Sequence, residues 1–167
     1  MFAYKIVLLG DFGVGKTSLI KRFVDNSFSD EYISTIGVSI SKKKLLTDDG
    51  RESTMMIWDT EGKTEHKPIF KQYLSGAKAF IIVADITRVN TIESLKEHIE
   101  IIQEFGSNLP ICIALNKSDL HSEFFGSVDE IKNLSANILD VYKTSAKSGD
   151  AVETIFEAIN IAVINKA

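Results

Sequence analysis

The sequence predicts an α/β fold: a mostly parallel sheet with helices on both faces and one antiparallel edge strand. Three observations predict it. Short apolar runs alternate with longer stretches of helical period. The run Lys78–Ala84 is nearly all apolar, as a strand covered on both faces requires. One pair of runs is joined by Thr47-Asp48-Asp49-Gly50, whose Asp-Gly step is a hairpin signal and makes that pair antiparallel. With 167 residues, the chain is expected to form a single domain, residues 1–167.

The elements follow in order. Phe2–Leu9 reads as a buried strand ending at Gly10, and Lys16–Asp25 as a helix with Leu19, Ile20 and Phe23 at helical spacing. Asn26–Ile36 is a polar loop. Gly37–Leu46 and Glu52–Trp58 are the hairpin strands, and Asp59–Pro68, rich in Gly, Thr and charge, leads into a helix through Tyr73. After the strand Lys78–Ala84, Thr91–Phe105 is a helix with Ile92, Leu95, Ile99 and Ile102 on one stripe. Pro110–Leu115 is a buried strand, Val128–Ala136 a shorter helix and Ile138–Tyr142 the last strand. Ala151–Val163 is the final helix, with Val152, Ile155, Phe156, Ile159 and Val163 inward. Lys42, Lys43 and Lys44 lie in the edge strand, where they either protect an open edge from other chains or meet a partner.

Composition narrows the function. A net charge of −4 argues against nucleic acid as the main ligand, because phosphate backbones want a basic face. The single cysteine, Cys112, excludes an internal disulfide framework and a Cys-based zinc site, and reads as a buried core thiol. His66, His98 and His121 show no metal-ligand spacing. No apolar stretch reaches the ~18–20 residues of a membrane span. The N-terminus shows no signal-peptide pattern and the C-terminus no cysteine for a lipid, so membrane attachment is not supported by this chain and a cytoplasmic location is expected; with no feature calling for oligomerisation, a monomer is expected.

The strongest chemical signal is Gly10-Asp11-Phe12-Gly13-Val14-Gly15-Lys16-Thr17, which matches G-x-x-x-x-G-K-[ST] between a strand and a helix. Its glycines allow a nest of backbone N–H groups, and the helix N-terminus adds a favourable dipole. Residues 11–18, ending at Ser18, are the phosphate-binding set. Lys16 brings positive charge to the β/γ-phosphates, and the Thr17 hydroxyl can take a magnesium position. The competing reading is a plain glycine-rich strand-to-helix turn.

Asn116-Lys117-Ser118-Asp119 follows the strand Pro110–Leu115, at the carboxyl edge where open α/β sheets bind ligands. A carboxylate at Asp119 can accept from the ring N–H and the exocyclic amine of guanine, a donor pair that adenine lacks. The Lys117 stem can lie across a flat base. Taken alone, this motif is equally a polar loop. Thr144-Ser145-Ala146-Lys147 follows the last strand and can offer a backbone N–H to a base carbonyl, or be an ordinary loop. In Trp58-Asp59-Thr60-Glu61-Gly62-Lys63, Asp59 ends an apolar strand where a Walker-B-type acid holds Mg²⁺, and Gly62 can offer an N–H to a terminal phosphate. Thr35, in the polar loop after the first helix, is a candidate second protein ligand for the metal.

In order and spacing, GDFGVGKT, Thr35, WDTEGK, NKSD and TSAK resemble the Ras superfamily of small GTPases over essentially the whole chain. Tyr32–Val38, Ile57–Thr60 and Gly76–Ala79 look most like its Rab branch. The resemblance implies a P-loop G domain with a six-stranded sheet and five helices, and GTP/GDP binding with Mg²⁺. It also implies two γ-phosphate-reading segments, about Asp30–Ile40 and Glu61–Tyr73, through which effectors, exchange factors and GTPase-activating proteins dock. By the same match Tyr32 closes over the phosphates, and Phe28 lies against the guanine or anchors the loop as a core aromatic.

Three residues depart from that pattern. Lys63 stands where the family has the glutamine that positions the attacking water; an ammonium only donates, though it can neutralise γ-phosphate charge. Glu61 replaces the usual alanine, and its carboxylate either repels the γ-phosphate or swings to Lys16 or the magnesium region. Phe12 replaces a small residue and is expected to crowd an arginine finger. The implied catalytic set is therefore Lys16, Thr35, Gly62 and an atypical Lys63. Three readings compete: a slowly hydrolysing GTP switch, a non-hydrolysing guanine-nucleotide module, and a P-loop kinase or ATPase. The base motifs, and the absence of a lid-like insertion, argue against the third.

Overall fold

The computed structural model describes residues 2–31, 35–64, 71–105 and 108–167. Nine-residue strands β1 (Phe2–Gly10), β2 (Val38–Leu46), β3 (Glu52–Thr60) and β4 (Ala77–Asp85) join β5 (Ile111–Asn116) and β6 (Ile138–Lys143) in one sheet. Its strand order is β2-β3-β1-β4-β5-β6. Every neighbouring pair is parallel except β2 and β3. The antiparallel edge thus lies where the Asp-Gly signal places it.

Successive residues of β1 face opposite layers. Ile6 and Leu8 pack with Leu19, Phe23, Phe156 and Ile159 under α1 (Lys16–Asp25) and α5 (Val152–Lys166). Val7 and Leu9 pack with Phe80, Ile82, Leu95, Ile99 and Ile102 under the helices of the other face. Phe23 and Phe156 stack at 4.0 Å between ring centroids, tying α1 to α5. Truncating either ring costs about 3–5 kcal/mol. Cys112 is fully buried in this first layer, and burial pushes its thiol up to about 12, as a core thiol requires.

Three expectations change. The predicted helix Thr91–Phe105 is two segments, α2 (Val89–Glu93) and α3 (Leu95–Glu104), meeting at Ser94. The Ser94 hydroxyl donates back to the Asn90 carbonyl at 2.9 Å, a local competition that disturbs helices. Ser94 keeps right-handed helical angles, so the stripe Ile92, Leu95, Ile99 and Ile102 still runs unbroken into the core. The helix predicted to reach Ala136 stops early: α4 is Val128–Lys132, capped by the Ser127 hydroxyl and closed by a turn from Leu134 N–H to Ile131 O. The helix expected through Tyr73 is a 3₁₀ turn, Lys71–Leu74; residues 65–70 lie outside the described residues.

Among the edge lysines, Lys42 and Lys44 are exposed, but Lys43 bends back and sets its ammonium 4.0 Å from the centre of the Phe23 ring. Among the described residues no helix is long and apolar enough to cross a membrane. The carboxyl ends of the parallel strands share one edge, so the loops after Gly10, Thr60, Asp85, Asn116 and Lys143 gather there.

Candidate nucleotide site

These loops enclose a cleft of about 380 Å³. Of the residues the sequence proposed, Phe12, Gly13, Gly15, Lys16, Thr17, Ser18, Phe28, Thr35, Gly62, Asn116, Lys117, Asp119, Ala146 and Lys147 line it. Asp11, Val14, Asp59, Lys63 and Ser145 do not line it. They stand behind the wall and act on the residues that do. Tyr32 lies outside the described residues.

The phosphate loop is held from outside. Lys16 Nζ donates to the carbonyls of Gly10 and Asp11, each at 3.0 Å. Arg88 Nη2 donates to the Phe12 carbonyl at 2.8 Å, Lys117 Nζ to Gly13 at 3.0 Å and Asn116 Nδ2 to Val14 at 2.9 Å. In a planar peptide the N–H points opposite the C=O, so anchoring the Phe12, Gly13 and Val14 carbonyls outward turns the amides of Gly13, Val14 and Gly15 toward the cleft. Gly15 has φ +102°, and a Cβ there would lie 2.3 Å from Asn116 Nδ2, so only glycine serves.

Lys16 is buried, and burial pushes its ammonium down to about 8 despite the pull of Asp59 and Asp11. It is a cation short of anionic partners, suited to a phosphate. Beside it, Thr17 Oγ1 lies 2.6 Å from Thr35 Oγ1 and donates to Asp59 Oδ2 at 2.5 Å. Burial raises the Asp59 carboxyl above its ordinary range, partly offset by the Thr17 hydrogen bond and Lys16. Asp59 Oδ1 is buried without a hydrogen-bond partner among the described residues. Two hydroxyls and a carboxylate with an unsatisfied oxygen form a hard-oxygen set that fits Mg²⁺ or its water shell.

At the other end, Asp119 Oδ1 accepts from Ser145 Oγ at 2.7 Å, which orients the carboxylate. The Ser145 amide is committed to Asp150 O at 3.0 Å, so the next residue, Ala146, is the one that reaches the cleft. Lys117 sits at φ +66° with its ammonium between Asp85 and Gly13 O. Its head therefore braces the phosphate loop and only its stem faces the cleft. Phe28 is a cleft wall rather than a core anchor: it is 36% exposed.

The three departures are each placed. Lys63 turns away from the cleft and forms an ion pair with Glu97 on α3. The Glu61 carboxylate accepts from the Gly37 amide at 3.3 Å, a contact with neither Lys16 nor a phosphate position, which ties residue 61 to the segment before β2. Phe12 is 41% exposed and lines the cleft. Residues 61–63 are laid on the phosphate loop: Phe12 N–H donates to Lys63 O at 3.0 Å, and Lys63 N–H to Gly10 O at 3.2 Å. A Cβ on Gly62 would meet Phe12 Cα at 2.6 Å, so this packing needs glycine.

Sequence reasoning missed four residues. Arg22 donates to the Ala146 and Lys147 carbonyls, both at 2.7 Å, and fixes the base-side turn from α1. Asp85 and Arg88 brace the phosphate loop. The strand-end rule that selected Asn116 applies equally to Asp85, the last residue of β4. His98 is buried; its Nε2 has no hydrogen-bond partner among the described residues and lies 3.7 Å from Asp11 Oδ1, and burial pushes its pKa down against the pull of the Ser94 carbonyl and Asp11. No local signal marked it.

The Ras family model matches residues 5–165. The chain belongs to the Ras family. It is 34% identical over 164 residues to Ras-related protein RABD2b of Arabidopsis thaliana, covering 97% of this chain and 81% of that protein. It is 38% identical over 160 residues to Ras-related protein Rab-11A of Dictyostelium discoideum (95% and 74%), and 36% over 154 residues to Rab-1C of the same organism (91% and 76%). It is thus a Rab-like small GTPase, a nucleotide-binding switch by family. The six-stranded sheet with one antiparallel pair is the Ras-like P-loop G domain that its motifs implied.

Proposed function

We propose that this Ras-family chain binds GTP and GDP with Mg²⁺ and hydrolyses GTP slowly by itself. The observation that carries the binding half is the convergence of Thr17, Thr35 and Asp59 beside Lys16 at the mouth of an outwardly anchored phosphate loop. Thr17, Thr35 and Asp59 hold the metal, which supplies charge neutralisation at the phosphate oxygens. Lys16 and the amides of the loop bind the phosphates, Gly62 faces the terminal one, and Asp119 with the Ser145–Lys147 turn reads guanine. Phe28 and the Lys117 stem flank the base.

The slow half rests on Lys63. A water attacking phosphorus needs an acceptor to orient it, and an ammonium only donates. Here that ammonium is also engaged by Glu97. Phe12 crowds the side from which an arginine finger would enter, so partner access governs how fast the switch resets. Effectors, exchange factors and activating proteins meet residues about 30–40 and 61–73 of a cytoplasmic monomer. The Lys63–Glu97 pair also favours a second reading, a guanine-nucleotide module that does not hydrolyse at all.

Calorimetry with GDP, GTP and ADP at millimolar magnesium tests binding, and single-turnover hydrolysis of bound GTP tests the rest. Heat with guanine nucleotides and a slow, measurable turnover is expected. No heat with either guanine nucleotide ends the proposal. Turnover at zero selects the second reading, and turnover at ordinary family rates defeats the slow one.

A further inference from the structure

We propose that Arg88, held by Asp85, is a positioning residue for the diphosphate: it fixes the Phe12 peptide from outside the cleft and links it to Lys117. The proposal rests on nucleotide binding at this cleft and goes beyond it. Asp85 ends β4 and is 1% exposed, and both its oxygens are used. Oδ2 receives Lys117 Nζ at 2.7 Å and Arg88 Nε at 3.2 Å. Oδ1 receives the Thr87 amide at 2.9 Å and the Thr87 hydroxyl at 2.6 Å. A buried carboxylate satisfied in this way is a fixed point rather than a titrating one.

From that fixed point two arms reach the phosphate loop. Lys117 continues to the Gly13 carbonyl at 3.0 Å, and Arg88 to the Phe12 carbonyl at 2.8 Å. Consecutive peptides are therefore aimed by one acid. The Arg88 arm uses two nitrogens of a planar fork, one on the acid and one on the loop, which sets its direction. Its backbone is fixed as well: Arg88 N–H donates to Asp85 O, and Arg88 O accepts from Thr91 N–H and from the Thr91 hydroxyl. A lysine at 88, with a single point-like head, cannot span both partners in this way. The arm ends on the carbonyl of Phe12, the bulky residue of the loop.

A structural role alone would lower stability and weaken every ligand equally. A positioning role predicts a loss confined to ligands that carry a β-phosphate. The test uses the full chain with fluorescent GDP, GDP and GMP, in native protein, Arg88→Ala and Arg88→Lys. Arg88→Ala is expected to release GDP about tenfold faster, the scale of one charge-assisted hydrogen bond. Its GMP affinity is expected to match the native protein, whatever the change in its nucleotide-free unfolding midpoint. Arg88→Lys, which keeps the charge, should recover less than half of the loss. Unchanged GDP release in Arg88→Ala, or equal losses for GDP and GMP, overturns the proposal. Failure of the native protein to bind GDP would instead remove the reading on which it rests.

Discussion

Lys63 and Glu97 are ion-paired across the groove between the end of β3 and α3, while the Lys63 backbone is bridged in parallel register to Asp11. The side chain that follows Gly62 is thereby directed to a helix surface and not to the cleft. The Lys63 side chain is 22% exposed and that of Glu97 is 53% exposed, so the pair itself contributes at most about 1 kcal/mol. Its consequence is chemical rather than energetic: the side chain at this position is a donor only, and it is engaged by Glu97.

Replacing Lys63 by glutamine restores an acceptor. Single-turnover GTP hydrolysis in Lys63→Gln should rise at least about tenfold, below the ~10²–10⁴ of a well-placed proton acceptor because Phe12 remains. Glu97→Gln frees the ammonium without creating an acceptor and should leave the rate within about twofold. An unchanged rate in Lys63→Gln would move the block to Phe12.

Asp119 is oriented by Ser145 and lines the cleft. Asp119→Asn exchanges two accepting oxygens for one acceptor and one donor, which mismatches guanine and suits xanthine. GDP affinity should fall about a hundredfold, with xanthosine diphosphate becoming the better ligand. Competition binding reads both, and an unaltered preference would exclude Asp119 as the base reader.

The unsatisfied oxygen of Asp59 predicts metal dependence. Chelating magnesium should speed GDP release at least about tenfold in the native protein, and Asp59→Ala should release GDP quickly with or without chelator. A native protein indifferent to chelation would remove Thr17, Thr35 and Asp59 from the metal role.

What could be read from the sequence was what depends on local pattern. Both-face burial made β4 and β5 continuous apolar runs, Asp-Gly announced the antiparallel turn between β2 and β3, and Gly15 with Lys16 marked the phosphate loop. What could not be read depends on tertiary partners. Nothing near Lys63 says that Glu97 lies within reach, and nothing near Arg22 says that it meets carbonyls at 146 and 147. The break at Ser94 was missed because the hydrophobic stripe continues through it, and periodicity sees the stripe and not the backbone.

Lys16 predicts a pH signature of the nucleotide-free protein. Its ammonium titrates near about 8 in the folded chain against 10.5 when unperturbed. Between those values the unfolded chain keeps a proton that the folded chain has released, so stability rises with pH across that window. Below about 8 both states are protonated and the burial penalty, roughly 3 kcal/mol, stands in full. Lys16→Met keeps the length and removes the charge. It should therefore be more stable than the native protein at pH 7.5, and the gap should shrink steadily toward pH 10 in urea titrations. A gap constant over that range would show that Lys16 holds its proton as an exposed lysine does. Saturating GDP supplies the missing anion and should flatten the native slope.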